Sequence, residues 1–221
     1  MPLKKPLIRN LLCKNFRDLY QLGMNTLKSG NISAKVDETM IISPSGISAL
    51  ELSPDKLVEM NLVTEEVTKS HLVPSTEWLF HKEIYGLGNK TTAIVHTHSP
   101  NATALSCLEF ELPPFHYMLA NFGTGSIKCA RYQTFGTPEL SLSIRDAIKD
   151  SKACFLANHG AITIGKSINE AFDNAILLEE LAKIYLISIS AGKPRLLSKG
   201  EMLLLNRKFK TYGKHNETQD Q

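Results

Sequence analysis

His96-Thr97-His98 closes the apolar run Ala93-Ile94-Val95 and is followed at once by Ser99-Pro100. Side chains alternate along a strand, so residues 96 and 98 point to the same face. Two imidazoles side by side where the chain leaves the core can grip one metal ion. A further histidine ends a similar run, Phe155-Leu156-Ala157-Asn158-His159-Gly160. Three imidazoles from two strand ends suit a catalytic zinc with an open position, whereas a sealed structural site is usually rich in cysteine. The competing reading of an isolated His-x-His is a pair of hydrogen-bonded strand-end histidines, and the distant His159 counts against it.

Glu77 follows Pro74-Ser75-Thr76 at the start of an expected helix. A carboxylate there can simply cap the helix and meet its positive end. It can also be a further zinc ligand or a general base, if that helix end faces the two strand ends. His81 lies four residues on, on the same helical face, and competes for the metal role; the residues alone do not separate the two. Ser29-Gly30-Asn31, Ser43-Pro44-Ser45-Gly46 and Ser75-Thr76 are turns whose N–H groups and hydroxyls can hold an anion, the last on a helix dipole suited to phosphate. None has Walker spacing or a dinucleotide Gly-rich fingerprint, which disfavours nucleotides.

These residues need elements to carry them. Leu11, Leu12, Phe16, Leu19, Leu22 and Met24 recur near helical spacing, so residues 10–28 read as an amphipathic helix ended by Gly30. Met40-Ile41-Ile42 reads as a strand. Ser53-Pro54-Asp55 has the form of an N-cap with proline in the first helical position. A helix after Thr76 runs to about Leu87, strand 92–97 gives way to a helix near Pro100, and strands 126–130 and 153–157 flank a helix over about 138–149. Residues 161–164 form a hairpin with 153–157 around Asn158-His159-Gly160. A long helix from Ser167 to about Ser190 covers a sheet face, and polar residues 214–221 form a loose, flexible tail. Short strands, tight hairpins and helices of this length give a three-layer α/β/α class with a largely antiparallel central sheet, in one domain spanning residues 1–221.

The 221 residues suffice for a core that needs no staples. Apolar residues make 43% and charged ones 21%, so a soluble globule is expected. The net charge of +3, without basic runs interleaved with aromatics, suits a small anionic substrate and not nucleic acid. Cys13, Cys107, Cys129 and Cys154 lack Cys-x-x-Cys spacing and lie in or beside apolar segments, which suggests buried free thiols in a reducing cytoplasm. Lys4, Lys5, Arg9, Lys14, Arg17 and Asp18 interrupt any apolar leader, and no window approaches the roughly 20 apolar residues of a membrane span.

The succession Gly30-Asn31-Ile32-Ser33, Ser43-Pro44-Ser45-Gly46-Ile47, Pro74-Ser75-Thr76-Glu77-Trp78, His96-Thr97-His98 and Asn158-His159-Gly160 resembles the class II aldolase/adducin-like family. So do His116-Tyr117-Met118-Leu119-Ala120, the block from Cys129 through Phe135 to Thr137, and Phe209-Lys210-Thr211-Tyr212-Gly213. The match spans residues 10–213, and within the family it is nearest to the branch that cleaves L-fuculose 1-phosphate to dihydroxyacetone phosphate and L-lactaldehyde. The resemblance implies zinc on Glu77, His96, His98 and His159, with Glu77 leaving the metal to act as acid and base; it selects Glu77 over His81 and makes His81 a packing residue. It places the substrate on Asn31, Ser45, Gly46, Ser75, Thr76 and Phe135, sends Tyr117 to a neighbouring subunit's site in a cyclic homotetramer, and lets Tyr212 close over the aldehyde end. Lys28, Asn121, Phe122 and Asn158 depart from that branch's pattern and leave the aldehyde preference open.

The chemistry matches the donors. Aldol cleavage leaves an enediolate, and without a Schiff-base lysine that charge calls for a Lewis acid. Lys128 and Lys152, the nearest candidates for a lysine mechanism, read as surface groups. A pentulose-phosphate 4-epimerase would typically carry aspartate at position 77. A methylthioribulose-phosphate dehydratase would differ over 109–137, and a non-catalytic adducin-like module would lack the ligands.

Overall fold

The computed structural model describes residues 5–88, 90–123 and 125–209. Its centre is an eight-stranded sheet of order β4-β3-β2-β1-β5-β8-β7-β6. In chain order the strands are β1 (Asn31–Val36), β2 (Thr39–Ile42), β3 (Val58–Asn61), β4 (Val67–Lys69), β5 (Ala93–Thr97), β6 (Cys129–Ala130), β7 (Ala153–Leu156) and β8 (Gly160–Gly165). Every ladder is antiparallel except β6–β7. The helices are α1 (Lys5–Gln21), α2 (Trp78–Tyr85), α3 (Pro100–Ser106), α4 (Pro138–Ile148), α5 (Ile168–Ala191) and α6 (Lys199–Phe209).

The period of two along each strand sorts side chains between two helical layers. Ile32 and Ala34 of β1 and Ala93 and Val95 of β5 pack with Leu12 and Phe16 of α1 and Ala175 of α5. The intervening Ile94 packs on the other face with Phe80 and Ile84 of α2 and Ile144 of α4. Ala153 and Phe155 of β7 meet Leu105 of α3 and Leu178 of α5. The result is the expected three-layer α/β/α arrangement with a mostly antiparallel sheet. Ser167 caps α5 by accepting from Glu170 N (3.1 Å), while the Glu170 side chain accepts from Lys166 N (2.8 Å), just before the cap; together these bonds fix the start of the long helix.

Several boundaries differ from expectation. Helix α1 covers Lys5–Gln21 and not 10–28. Met24 N bonds back to Leu19 O (2.9 Å) around Gly23 at φ +72°, so the chain turns there and carries Met24 into the core as a loop residue. Ser53 makes no side-chain cap, and only a 3-10 turn, Pro54–Lys56, follows. Strand 126–130 contracts to Cys129–Ala130. Strands β1, β3 and β4 and helix α6 were not foreseen. All four cysteines are free, but Cys107, at the C-cap of α3, is exposed and not buried. Among the described residues, no helix is long and apolar enough to cross a membrane. The expected tail 214–221 lies outside them.

Candidate active site

Strand β5 delivers its histidines to the rim of the sheet. His96 is fully buried, and its Nδ1 donates to the carbonyl of Ala161 on β8 (3.0 Å). That bond sets the tautomer and leaves Nε2 as a bare lone pair facing outward. His98 lies just past the strand, where its N–H is held by Asn25 Oδ1 (3.0 Å). His159 sits in the β7–β8 turn, made by Asn158 at φ +55°, and its N–H donates to Leu156 O (3.0 Å) and Ser106 Oγ (3.3 Å). Asparagine tolerates this left-handed backbone better than most residues.

The three rings converge. Their centroids lie 4.8, 4.9 and 4.9 Å apart, and one nitrogen from each falls within 4.8 Å of the others. The His96 and His98 Nε2 atoms are 3.0 Å apart. Ligands at 2.0–2.1 Å in a tetrahedron stand roughly 3.3 Å from one another, so this spacing suits one zinc ion. Burial lowers the basicity of all three, His159 to about 4, and keeps them in the neutral form that binds metal.

Glu77 completes the ring of donors. It stands at the N-cap position of α2 but makes no side-chain cap bond, so helix capping is not its role. Its Oε2 accepts from Asn31 Nδ2 (2.9 Å) and lies 3.3 Å from His96 Nε2. Its Oε1 is buried without a hydrogen-bond partner, 3.4 Å from His159 Nε2. Because the imidazoles are neutral these are not ion pairs. An orphaned carboxylate oxygen beside converging lone pairs is the arrangement a cation satisfies. Burial pushes the Glu77 carboxyl up to about 7, with the Asn31 hydrogen bond offsetting part of the rise. A carboxyl in that range is suited to accept and return a proton near neutrality.

His81 is not part of this cluster. It is fully buried and stacked on Phe80 at 4.6 Å, with Nδ1 2.7 Å from Ser33 Oγ and Nε2 2.6 Å from Asn31 Oδ1. The expected packing role is therefore joined by two hydrogen bonds. Burial drives its pKa down to about 3.

A cavity of about 400 Å³ opens over Glu77, His98 and His159. Asn31, Ser45, Gly46, Ser75, Thr76 and Phe135, all expected at the substrate, line the same cavity. Lys28, Ser29, Gly30 and Pro44 extend one part of the wall, and Tyr132, Gln133 and Asn158 add to it. Lys28 brings a cation to three turns rich in N–H and hydroxyl groups, which suits a phosphate. Tyr132 and Gln133 were visible only as members of a motif, since nothing in their types marks them as lining residues. Tyr117 opens a 3-10 turn, Tyr117–Phe122, is 49% exposed, stacks on Phe209 at 6.1 Å and does not line this cavity. Tyr212 lies outside the described residues. Of the departures from the family pattern, Phe122 is buried core, Asn121 bonds Met118 O (3.0 Å), and Lys28 and Asn158 face the cavity.

A helical layer on each face of an antiparallel sheet, with a histidine triad and a carboxylate at its rim, defines a metal-dependent lyase of the class II aldolase type. The chain belongs to the class II aldolase and adducin N-terminal domain family, whose model matches residues 10–186. It is 38% identical to the 5-methylthioribulose-1-phosphate/5-deoxyribulose-1-phosphate aldolase of Rhodospirillum rubrum, over 96% of each chain. It is 37% identical to the L-fuculose phosphate aldolase of Escherichia coli K12, over 93% of this chain and 97% of that one. A solved L-fuculose 1-phosphate aldolase superposes with a TM-score of 0.89 at 33% identity, covering 92% of this chain and 96% of its own.

Proposed function

We propose that this aldolase reversibly cleaves a ketose 1-phosphate, with L-fuculose 1-phosphate as the first candidate, to dihydroxyacetone phosphate and L-lactaldehyde. The observation that carries the proposal is the unpartnered Oε1 of Glu77 among three converging imidazoles, in the wall of a cavity lined by Lys28 and hydroxyl-bearing turns. His96, His98, His159 and Glu77 would hold zinc, which when bound supplies Lewis-acid polarisation of the ketose carbonyl. Ser45, Gly46, Ser75 and Thr76, with Lys28, seat the phosphate, and Asn31 contributes its second amide proton to the substrate side.

In cleavage, the C4 hydroxyl passes its proton through the hydroxyl of a neighbouring subunit's Tyr117 to solvent, C3–C4 breaks, and the electron pair left at C3 takes a proton from Glu77. In condensation, Glu77 removes that proton again, a step worth roughly 10²–10⁴ in rate. Tyr117, exposed and outside its own cavity, serves the aldehyde oxygen of a neighbouring subunit in a homotetramer. Exposed Leu203 and Leu204 on α6 and Ile187 on α5 supply apolar surface for such contacts. Tyr212 closes over the aldehyde end, and four free cysteines suit a reducing cytoplasm.

A second reading has a specific observation behind it. The Rhodospirillum relative is named for methylthio- and deoxyribulose phosphates and matches this chain end to end. Like L-fuculose 1-phosphate, these substrates lack the terminal hydroxyl, and the aromatic lining from Tyr132 and Phe135 suits such an end. Steady-state turnover of L-fuculose, 5-deoxyribulose, methylthioribulose, L-rhamnulose and L-ribulose phosphates by the zinc-loaded protein tests both readings. Dihydroxyacetone phosphate should form fastest from a terminally deoxygenated ketose. Its absence from all five, or epimerisation of L-ribulose phosphate, would overturn the aldolase assignment.

A further inference from the structure

Behind the cavity, four side chains form a hydrogen-bonded file that ends on Glu77. Tyr85 OH lies 2.7 Å from Ser33 Oγ, Ser33 Oγ 2.7 Å from His81 Nδ1, His81 Nε2 2.6 Å from Asn31 Oδ1, and Asn31 Nδ2 2.9 Å from Glu77 Oε2. The file exists because two spacings match. Asn31 and Ser33 are alternate residues on one face of β1, roughly 6.7 Å apart, and His81 and Tyr85 are one turn apart on α2, roughly 6 Å.

Its direction is determined at one end. When Glu77 is ionised it only accepts, so Asn31 then turns its amide nitrogen to Glu77 and its oxygen to His81. His81 then carries its proton on Nε2, its Nδ1 accepts from Ser33, and Ser33 accepts from Tyr85. Reversing the Asn31 amide would set its oxygen against the Glu77 oxygen. Tyr85, Ser33 and His81 are buried away from the cavity, so no solvent partner takes over a broken link among them.

We propose that His81 is a positioning residue for the proton-transferring carboxylate: by holding the Asn31 oxygen it keeps the Asn31 N–H aimed at Glu77. The proposal rests on the reading of Glu77 as the acid and base. His81 neither lines the cavity nor belongs to the converging triad, and its consequence is orientation of Glu77, not metal binding or phosphate affinity.

Two conservative variants separate this from plain packing. In His81→Gln, the side-chain amide nitrogen reaches the position of Nε2 and can still donate to Asn31. In His81→Asn, the amide reaches only the position of Nδ1, so the Ser33 link survives and the Asn31 link is lost. On the zinc-loaded protein, His81→Asn should lower kcat at least tenfold with KM within about twofold and zinc content unchanged, while His81→Gln stays within about threefold of the parent. Equal losses in both variants, or a parent-like kcat in His81→Asn, would overturn the role. Ser33→Ala, which removes a single hydroxyl, should lower kcat several-fold without raising KM, and carries the test if either His81 variant fails to fold; an unchanged kcat there is equally fatal. Independently of activity, nitrogen NMR of His81 in the metal-free protein at alkaline pH, where Glu77 is ionised, should show the Nε2–H tautomer, and the Nδ1–H tautomer would refute the file. If Glu77→Gln keeps full turnover while that tautomer is seen, the acid/base reading has failed and the file has not.

Discussion

Asn31 and His96 are direct partners across the β1–β5 ladder. Directly opposed residues share a face, so the strand that carries a candidate metal ligand lies beside the strand that carries the amide holding Glu77. The candidate metal ligand and the orientation of the carboxylate are thereby set by one antiparallel pair.

The first expectation follows from the convergence of the triad. The protein should bind about one zinc per chain with Zn–N distances of roughly 2.0–2.1 Å. His96→Ala and His159→Ala should lose both zinc and turnover while keeping the parent's circular dichroism spectrum, because His159 lies in the β7–β8 turn and His96 in the end pair of the β1–β5 ladder. Elemental analysis and X-ray absorption check this, and full zinc content in both variants would contradict it.

A different change attacks the same site through the backbone. A Cβ on Gly160 would sit 2.4 Å from the carbonyl oxygen of Thr97 and 3.2 Å from the His98 ring. The first atom is backbone and cannot swing aside, so Gly160→Ala must push β8 from β5 where the triad is assembled. Unfolding midpoints should fall with a cost of about 1–3 kcal/mol, and zinc affinity should drop with them. A Gly160→Ala protein with parent stability and zinc affinity would mean that the strands are looser here than their packing implies.

Much of this site was legible from the sequence, and the parts that were not share a cause. His96, His98 and His159 end apolar runs, and a strand's period of two carries them to one rim, so composition and spacing were enough. Strand β1 was missed because its alternate residues, Asn31 and Ser33, are polar yet buried against His81 and Tyr85, so polarity did not mark the solvent side. His81 read as a rival metal ligand, and only the family resemblance made it a packing residue, because a helix-face histidine gives no sign of its partners; both lie some fifty positions away on β1. Glu77 read on its own residues first as a helix cap; the missing cap bond and the unpartnered Oε1 beside the triad argue for the other role.

The buried His81 also makes acid stability testable. Burial holds its pKa at about 3, against 6.5 for an exposed histidine. As pH falls below 6.5 the unfolded chain takes up this proton and the folded chain does not. The stability present above pH 6.5 is therefore lost progressively between about 6.5 and 3, by up to about 1.4 kcal/mol per pH unit. His96 acts in the same direction. In denaturant titrations of the metal-free protein from pH 8 to 4, His81→Gln should flatten the slope by close to one proton. An unaltered slope would show that His81 titrates normally.

The oligomer enters through Tyr117. It is exposed, stacked on Phe209 and absent from the lining of its own cavity. Under the tetramer proposal, inactive His98→Ala and inactive Tyr117→Phe proteins complement each other, because a mixed assembly contains sites with an intact triad and a neighbour's intact tyrosine. Activity should appear on mixing under conditions of proven subunit exchange. Failure despite exchange would return Tyr117 to its own chain or remove it from catalysis.

Glu77 separates metal binding from proton transfer most sharply. Glu77→Gln keeps the side chain's size and can still stand at the start of α2, but it cannot accept a proton. Its carbonyl oxygen can still receive the Asn31 N–H, so the file behind it survives. Three imidazoles remain, and zinc should stay largely bound. Exchange of the C3 proton of dihydroxyacetone phosphate with solvent, followed by NMR, should collapse, and the barrier to turnover should rise by roughly 3–5 kcal/mol. Losing a desolvated carboxylate should also relieve the burial that pushes this carboxyl up to about 7, so the metal-free variant should be no less stable than the parent at pH 8. The sign follows from linkage: a raised carboxyl pKa means the folded state gains stability as pH falls toward the unfolded value of about 4.5 and forfeits it above about 7. Near-normal exchange in a zinc-loaded Glu77→Gln protein would refute the acid and base role, whatever the metal does.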